Sequence, residues 1–76
     1  MEDEFKILKE KIKYFYDKSS AIHVVYKNSR FANGYIQEQS ALFFILKDFN
    51  FGEMIIFFKE IEDIIPYREK EEWFGQ

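Results

Sequence analysis

The sequence predicts a small, mostly β domain in which an N-terminal α-helix precedes a five-stranded, strongly bent antiparallel barrel. The chain has 76 residues, which is enough for one domain at most. Apolar residues recur with a helical period at the N-terminus, and from residue 21 the period changes to the alternation typical of strands. The predicted strands are joined by very short connections, and tight turns join antiparallel neighbours.

The N-terminal segment, residues 1–18, contains the predicted helix, which begins at the second residue. Phe5, Leu8, Ile12 and Phe15 follow one helix face at i, i+3, i+7 and i+10. Acidic residues in the first turn and lysines in the last would suit the helix dipole. Two serines then end the pattern. We expect the apolar stripe to pack on the rest of the domain, with a partner-binding helix as the alternative.

The barrel is predicted over residues 21–67. Its five strands cover residues 21–27, 30–39, 41–47, 53–59 and 63–67. Gly34 lies inside the second strand and predicts a bulge or bend where another backbone approaches. Because such a bend lets the strands curl into a barrel, most sheet edges would be removed. The remaining residues, 68–76, form a charged tail.

Composition excludes several kinds of functional site. The chain has no Cys and one His, His23, so neither a disulfide nor a common zinc site can form. We expect His23 to be an ordinary hydrogen-bonded strand residue. The acidic clusters at 60–63 and 69–72 lie beside turn and tail positions and are interpreted as solvated charge. With no phosphate-binding glycine loop and no nucleophile pattern, we expect no enzyme, no cofactor and no metal.

Charge and hydropathy bound the location and the partners. The longest apolar run, residues 41–46, is far shorter than the roughly 20 residues of a membrane helix. The start of the chain is acidic, unlike a secretory signal, and a cytoplasmic protein is expected. The net charge is −3, with the acidity concentrated at the C-terminal end. The chain therefore lacks the concentrated positive charge of a protein that binds duplex DNA. Binding to a few single-stranded nucleotides is not excluded.

The aromatic content predicts self-association. Ten Phe, five Tyr and one Trp are more than the core of a small monomer needs. The third and fourth strands are apolar on both faces, so a second burial surface is required. We expect strand four to pair with strand five of a neighbouring copy, a heterologous contact that can close into a ring. A monomer with a tightly packed core is the alternative. The predicted interface residues are Met54, Ile56, Phe57, Phe58 and Ile64.

Two stretches resemble the halves of the motif of the Sm-like (LSm, Hfq-like) small β-barrel family. In residues 27–48, Gly34 lies in strand two and an apolar strand follows that ends near Asp48. Residues 52–65 continue with a glycine and a second apolar strand. The resemblance implies a ring-forming protein that binds single-stranded RNA. The turn at 37–41 lacks the family's base-gripping Asp and Asn, and Lys59-Glu60 stands where its Arg-Gly is expected.

The resemblance and the local charges give the candidate RNA contacts. Gln39 and Ser40 could offer hydrogen bonds at the family's turn, and Lys59 stands at its basic position. The predicted phosphate partners are Lys27, Arg30 and Arg68. A protein-interaction or scaffold module of the same fold, with no nucleic-acid ligand, is the alternative function. A third hypothesis is a monomeric adaptor whose helix docks on a larger complex.

Overall fold

The computed structural model of the protein describes residues 4–67. Helix α1 (Lys6–Asp17) is followed by the strands β1 (Ile22–Tyr26), β2 (Phe31–Gln39), β3 (Phe43–Asp48), β4 (Gly52–Phe57) and β5 (Ile61–Pro66), with one turn of 3₁₀ helix, Phe58–Glu60, before β5. The predicted element order and mostly β fold class are confirmed. The predicted tail lies outside the described residues, and the single-domain assignment stays a prediction.

Helix α1 begins later than its sequence pattern predicts. Phe5 is the N-cap residue, and its ring stacks on Phe58 with centroids 5.8 Å apart. With these bounds, the first turn of the helix holds no acidic residue and the last turn no basic one. The predicted match to the helix dipole is therefore wrong. Ser19 ends the helix as expected, with φ of 53° and its N–H bonded to the Tyr16 carbonyl.

The five strands form one antiparallel sheet in the order β4-β3-β2-β1-β5. The long strand β2 holds it together. Its first half, from Phe31 to Gly34, pairs with β1. Its second half, from Gly34 to Gln39, pairs with β3. Strand β2 therefore belongs to both sides of the bent sheet and changes partner at Gly34.

At Gly34 the backbone of β3 lies where a side chain of β2 would otherwise be. A Cβ atom at this position would overlap the Lys47 carbonyl oxygen and lie 2.9 Å from Asp48 Cα. Only glycine leaves room for this approach. The predicted backbone contact is confirmed. The shift in register lies further along β2, between Ile36 and Glu38, so bend and bulge are separate features.

The core lies inside the bend and under the helix. Helix α1 contributes Ile12 and Phe15, which are 1% and 9% exposed. The other buried apolar side chains of the described residues are Ile22, Val24, Ala32, Ile36, Phe44, Leu46, Ile56, Phe58, Ile61 and Ile64. The apolar stripe of the helix therefore packs on its own domain, as expected.

Bending does not remove the edges of the sheet. Strands β4 and β5 stand at the two ends of the strand order, and each has a hydrogen-bonded neighbour on one side only within the described chain. The expectation that curling would eliminate most edges is wrong here. Two free edges of six residues each remain in this part of the chain.

We predict that Gly34→Ala lowers the free energy of unfolding by more than about 2 kcal/mol, because the new Cβ would displace the backbone of β3. Gly52→Ala is the matched control: it has nothing within 4 Å, and only its φ of +78° opposes a side chain. It should cost roughly 1 kcal/mol. Urea unfolding of both variants measures the difference, and equal losses would contradict the steric account.

Candidate functional site

The outward faces of β3 and β4 form an exposed apolar patch. Phe43 lies opposite Phe57 and Ile45 lies opposite Ile55 in the strand register. The two phenyl rings are 5.7 Å apart between centroids, close enough for an edge-to-face contact. Ile55 is 60% exposed and Phe57 40%. These four residues are called the outer row below. They are the second apolar face predicted for the two strands; the described chain half-buries Phe43 and Ile45 and leaves Ile55 and Phe57 exposed.

The predicted interface residues divide between the core and the outer row. Ile56, Phe58 and Ile64 are at most 1% exposed, so their side chains are already buried within their own chain and are not available to a neighbour. Phe58 continues the alternation of β4 and is buried like Ile56, although the 3₁₀ turn begins at this residue. Met54 is half-buried against the core. Phe57 is accessible, and the prediction missed Ile55 beside it.

All five predicted RNA contacts that fall within residues 4–67 are exposed. Four of them lie at two separate places on the sheet. Lys27 and Arg30 flank the turn between β1 and β2. Gln39 and Ser40 lie at the far end of β2, where the Ser40 N–H donates to the Phe43 carbonyl at 2.7 Å. Arg68 lies outside the described residues.

Lys59 lies between these two places. It is the middle residue of the 3₁₀ turn, which is hydrogen-bonded on both sides. The Phe58 N–H donates to the Leu42 carbonyl, and the Lys27 N–H donates to the Glu60 carbonyl, each at 3.0 Å. The turn therefore connects the β2–β3 end of the sheet with the β1–β2 turn.

An open groove of about 840 Å³ lies beside the β1–β2 turn. It brings the two cations Lys27 and Arg30 together with the aromatic rings of Phe31 and Phe51. These rings are 64% and 79% exposed. The sequence analysis missed them as a pair because they are twenty residues apart. The groove also contains the anionic side chain of Glu60.

Asp48 positions one wall of this groove. Its side chain is 7% exposed, and its Oδ1 accepts hydrogen bonds from the backbone N–H groups of Asn50 and Phe51, at 2.8 and 3.0 Å. Such a side-chain-to-backbone turn is a common role of Asp. Gly52 then takes a φ of +78° and starts β4. The result is a fixed β3–β4 turn that holds the Phe51 ring in solvent.

Tyr26 lines the groove as a neutral hydroxyl. Burial raises the pKa of its phenol above the usual value, and the negative charges of Glu60 and Asp48 raise it further. A phenol held neutral can both donate and accept a hydrogen bond. The groove therefore combines two cations, two exposed rings and a neutral polar group.

Comparisons with known proteins bear on the fold. No protein-family model matches the sequence, and no curated protein matches it. Among solved structures, the chain is similar to a crystal structure of the pleiotropic translational regulator Hfq, with a TM-score of 0.69 and 17% sequence identity. The match covers 78% of this chain and 97% of that one. This chain has the Sm-like fold. At this identity the likeness concerns the fold, which confirms the resemblance seen in the sequence.

His23 lies on the outward face of this Sm-like sheet. Its Nδ1 donates a hydrogen bond to the side-chain oxygen of Asn33, the residue opposite it on β2. Its ring centroid is 5.2 Å from that of Phe31. The expectation of a hydrogen-bonded strand histidine is confirmed.

Residues 4–67 contain neither a cluster of metal-ligating side chains nor a helix that could span a membrane. No group of three or more His, Cys, Asp or Glu side chains within this range could hold a metal ion. No helix in the same range is long and apolar enough to cross a membrane.

An ion pair ties the helix to the edge of the Sm-like sheet. Lys11 Nζ donates to Asp63 Oδ1 at 2.6 Å, joining α1 to β5. This hydrogen bond holds the pKa of Asp63 below its usual value of 3.8, although partial burial opposes the shift. The backbone N–H of Ile64 donates to the same oxygen and acts in the same direction. Asp63 is thus part of a structural contact rather than a free surface charge.

The Lys11–Asp63 pair predicts an acid dependence of stability. Because the pKa of Asp63 is lower in the folded state, its contribution is fully present above about pH 4 and is lost as the pH falls through the folded value. Asp63→Asn should remove this contribution. The free energy of unfolding of the two proteins should therefore differ at pH 6 and converge towards pH 2. A difference that stays constant over this range would contradict the assignment.

Proposed function

We propose that the protein is an Sm-like subunit that assembles with copies of itself through its two free strand edges and forms a ring that binds single-stranded RNA. One observation carries the assembly: within residues 4–67, β4 and β5 end the sheet with one side of each unpaired, and β4 carries the exposed residues of the outer row. Exposed apolar edges promote pairing with another chain. A similar fold in a translational regulator supports the RNA part.

Pairing of β4 with β5 of the next copy would satisfy both edges at once. The two strands have six residues each. The two ends of the sheet are different surfaces, so the contact is heterologous and repeats from copy to copy until it closes. Phe57 and Ile55 would then lose their exposure to water. Removing apolar surface contributes about 25 cal/mol per Å², which favours the assembled state.

The groove beside the β1–β2 turn is the better candidate for RNA. Single-stranded nucleic acids are held by cations that contact phosphates and by aromatic rings on which bases stack. Lys27 and Arg30 supply the cations, and Phe31 and Phe51 supply the rings. Gln39 and Ser40 lie at the other end of β2, outside this groove. Like the RNA ligand, the cytoplasmic location stays a prediction.

The alternative is a scaffold of the same fold that binds no nucleic acid. Residues 4–67 carry nine basic and nine acidic side chains, so this part of the chain has no net charge to attract RNA. Glu60 also repels phosphate from within the groove. A monomeric adaptor that docks through its helix would leave the two free edges unexplained.

We predict that the wild-type protein has a mass several times the 9.3 kDa of one chain and that Phe57→Glu returns it to a single chain. In the assembled state, a carboxylate in the outer row would have to be buried without a partner. Light scattering after size exclusion measures both masses.

Phe31→Glu is the control for this experiment. Phe31 is more exposed than Phe57, but it lies on β2, in the middle of the strand order and not on either edge strand. Its replacement should leave the mass unchanged. A wild-type protein that is a single chain at tens of micromolar would reject the assembly.

We predict that labelled oligo-U or oligo-A binds with micromolar affinity at low salt, and that Arg30→Ala weakens binding by about tenfold because it removes a charge-assisted hydrogen bond to phosphate. The slope of log K against log salt should become shallower by about 0.7 for each phosphate that is no longer neutralised. Fluorescence anisotropy measures both quantities.

Gln39→Ala is the matched control and should leave affinity and salt slope unchanged. If Gln39→Ala weakens binding and Arg30→Ala does not, the site is at the other end of β2. Flat anisotropy for both oligonucleotides at low salt would favour the scaffold.

A further inference from the structure

A groove of about 460 Å³ runs between α1 and β5. Its helix side carries Ile7 and Tyr14, which are 65% and 55% exposed. They are seven residues apart, about two helical turns, and therefore lie on the same side of α1. The strand side consists of the last three residues of β5, Ile64, Ile65 and Pro66. The groove is thus mostly apolar and open to solvent.

The groove lies where the described chain ends. Pro66 lines it, and the next residue, Tyr67, is the last one described. The Tyr67 N–H donates to the Ala21 carbonyl at 3.1 Å and so fixes the point from which the chain continues. Nine residues follow in the sequence, 68–76. They are called the C-terminal segment below.

The C-terminal segment is long enough to reach every part of the groove. Trp73 lies six residues beyond Tyr67, and an extended chain spans up to about 3.5 Å per residue, so it can reach roughly 20 Å. Ile7 and Tyr14 are only about 10 Å apart along the helix axis. The segment therefore has length to spare for a reversal of direction after Tyr67.

The C-terminal segment also has the apolar side chains that would fill the groove. Trp73 and Phe74 stand side by side in it. Large aromatic rings bury more apolar area than other side chains and contribute most to such contacts. Among the residues that line the groove, Ile7 and Tyr14 are those left most open to water.

Charge favours the same match. The C-terminal segment carries three acidic and two basic side chains, whereas α1 carries four lysines and two acidic residues. Lys11 lines the groove, and the Lys18 Nζ lies 5.2 Å from the centroid of the Tyr14 ring. Glu10 at the groove opposes the attraction, but the helix as a whole is basic. Opposite charges on the two surfaces attract each other over about 10 Å at moderate salt.

We propose that the C-terminal segment folds back into this groove of its own chain, with the rings of Trp73 and Phe74 packed against Ile7 and Tyr14. Within the described chain, β5 has β1 on one side only, and no residue of β1 lines the groove. The docked segment therefore covers the open side of β5. It is an autoinhibitory contact, because it must leave before a second copy can pair with that strand. The inhibitory role rests on the proposed assembly; the docking does not.

The same chain is favoured over a separate partner because it is already in place. A segment joined directly to one end of the groove is present there at an effective concentration of about millimolar. Burial of one large aromatic side chain then favours the docked form by roughly tenfold or more. A tenfold preference is strong enough to regulate assembly and weak enough to be reversed at high protein concentration.

Tryptophan fluorescence tests the docking, because Trp73 is the only Trp of the chain. In dilute protein it should emit at shorter wavelength, and be less accessible to acrylamide, than in a synthetic peptide of residues 67–76. Tyr14→Gln should move both values towards those of the peptide. Tyr16→Gln is the matched control, because Tyr16 is 54% exposed but lies about 200° away around α1. Wild-type values equal to those of the peptide would overturn the docking.

Cysteine cross-linking gives a second test that does not depend on the folding of Tyr14→Gln. The natural chain has no cysteine. A double variant with Tyr14→Cys and Phe74→Cys should close a disulfide within one chain under mild oxidation, since bridged Cα atoms must come within about 7 Å. The control combines Tyr16→Cys with Phe74→Cys and should close much more slowly. Equal rates would overturn the docking.

The inhibitory role is tested by the concentration at which the protein assembles, measured by light scattering over a dilution series. Replacing both Trp73 and Phe74 with serine should lower the midpoint concentration by about tenfold, because the docked form is no longer withdrawn from assembly. Replacing both Gly75 and Gln76 with serine is the control and should leave the midpoint unchanged. An unchanged midpoint for the aromatic variant would overturn the inhibitory role.

The results separate this inference from the proposed function. If Trp73 is shielded in dilute protein but neither the wild type nor the aromatic variant assembles, the proposed assembly and the inhibitory role fail while the docking stands. If the wild type assembles and Trp73 is as accessible as in the peptide, only this inference fails. Shielding of Trp73 that appears only when the protein is concentrated would indicate docking on a neighbouring copy and would overturn the contact within one chain.

Discussion

The fold depends on one close backbone contact, the approach of β3 to Gly34. A side chain at position 34 would overlap the Lys47 carbonyl. Because Gly34 has none, β3 can approach here, and β2 changes its pairing partner from β1 to β3 at this residue. The bend brings β1 and β5 to one side of the core and β3 and β4 to the other. Helix α1 then closes the core through Ile12 and Phe15. Every surface with a candidate function is a consequence of this arrangement.

The same bend leaves the sheet open at both ends. Sheets avoid free apolar edges because these pair with other chains. Here β4 and β5 are both free within the described chain, and the outer row beside β4 keeps Ile55 and Phe57 in water. Strand β5, at the other end of the sheet, has the same length as β4. The assembly that we propose would account for all of these features together.

The sequence predicted the elements well and the surfaces only in part. Helical spacing and strand alternation are local, so α1 and five strands could be predicted from residue order, and Gly34 marked the close approach. The start of α1 was misplaced: the helix begins after Phe5, whose ring stacks on the distant Phe58. Ile56 and Phe58 were assigned to an interface although they are buried, since a strand apolar on both faces does not reveal which face points inward. The meeting of Phe31 with Phe51 depends on the bend and has no local signal.

Amide hydrogen exchange as a function of protein concentration tests the central claim most directly. If β4 and β5 pair between copies, their amides should be protected at high concentration about as well as those of β2, and should lose that protection on dilution while β2 keeps it. Exchange at β4 and β5 that is fast, and the same at every concentration, would contradict the account.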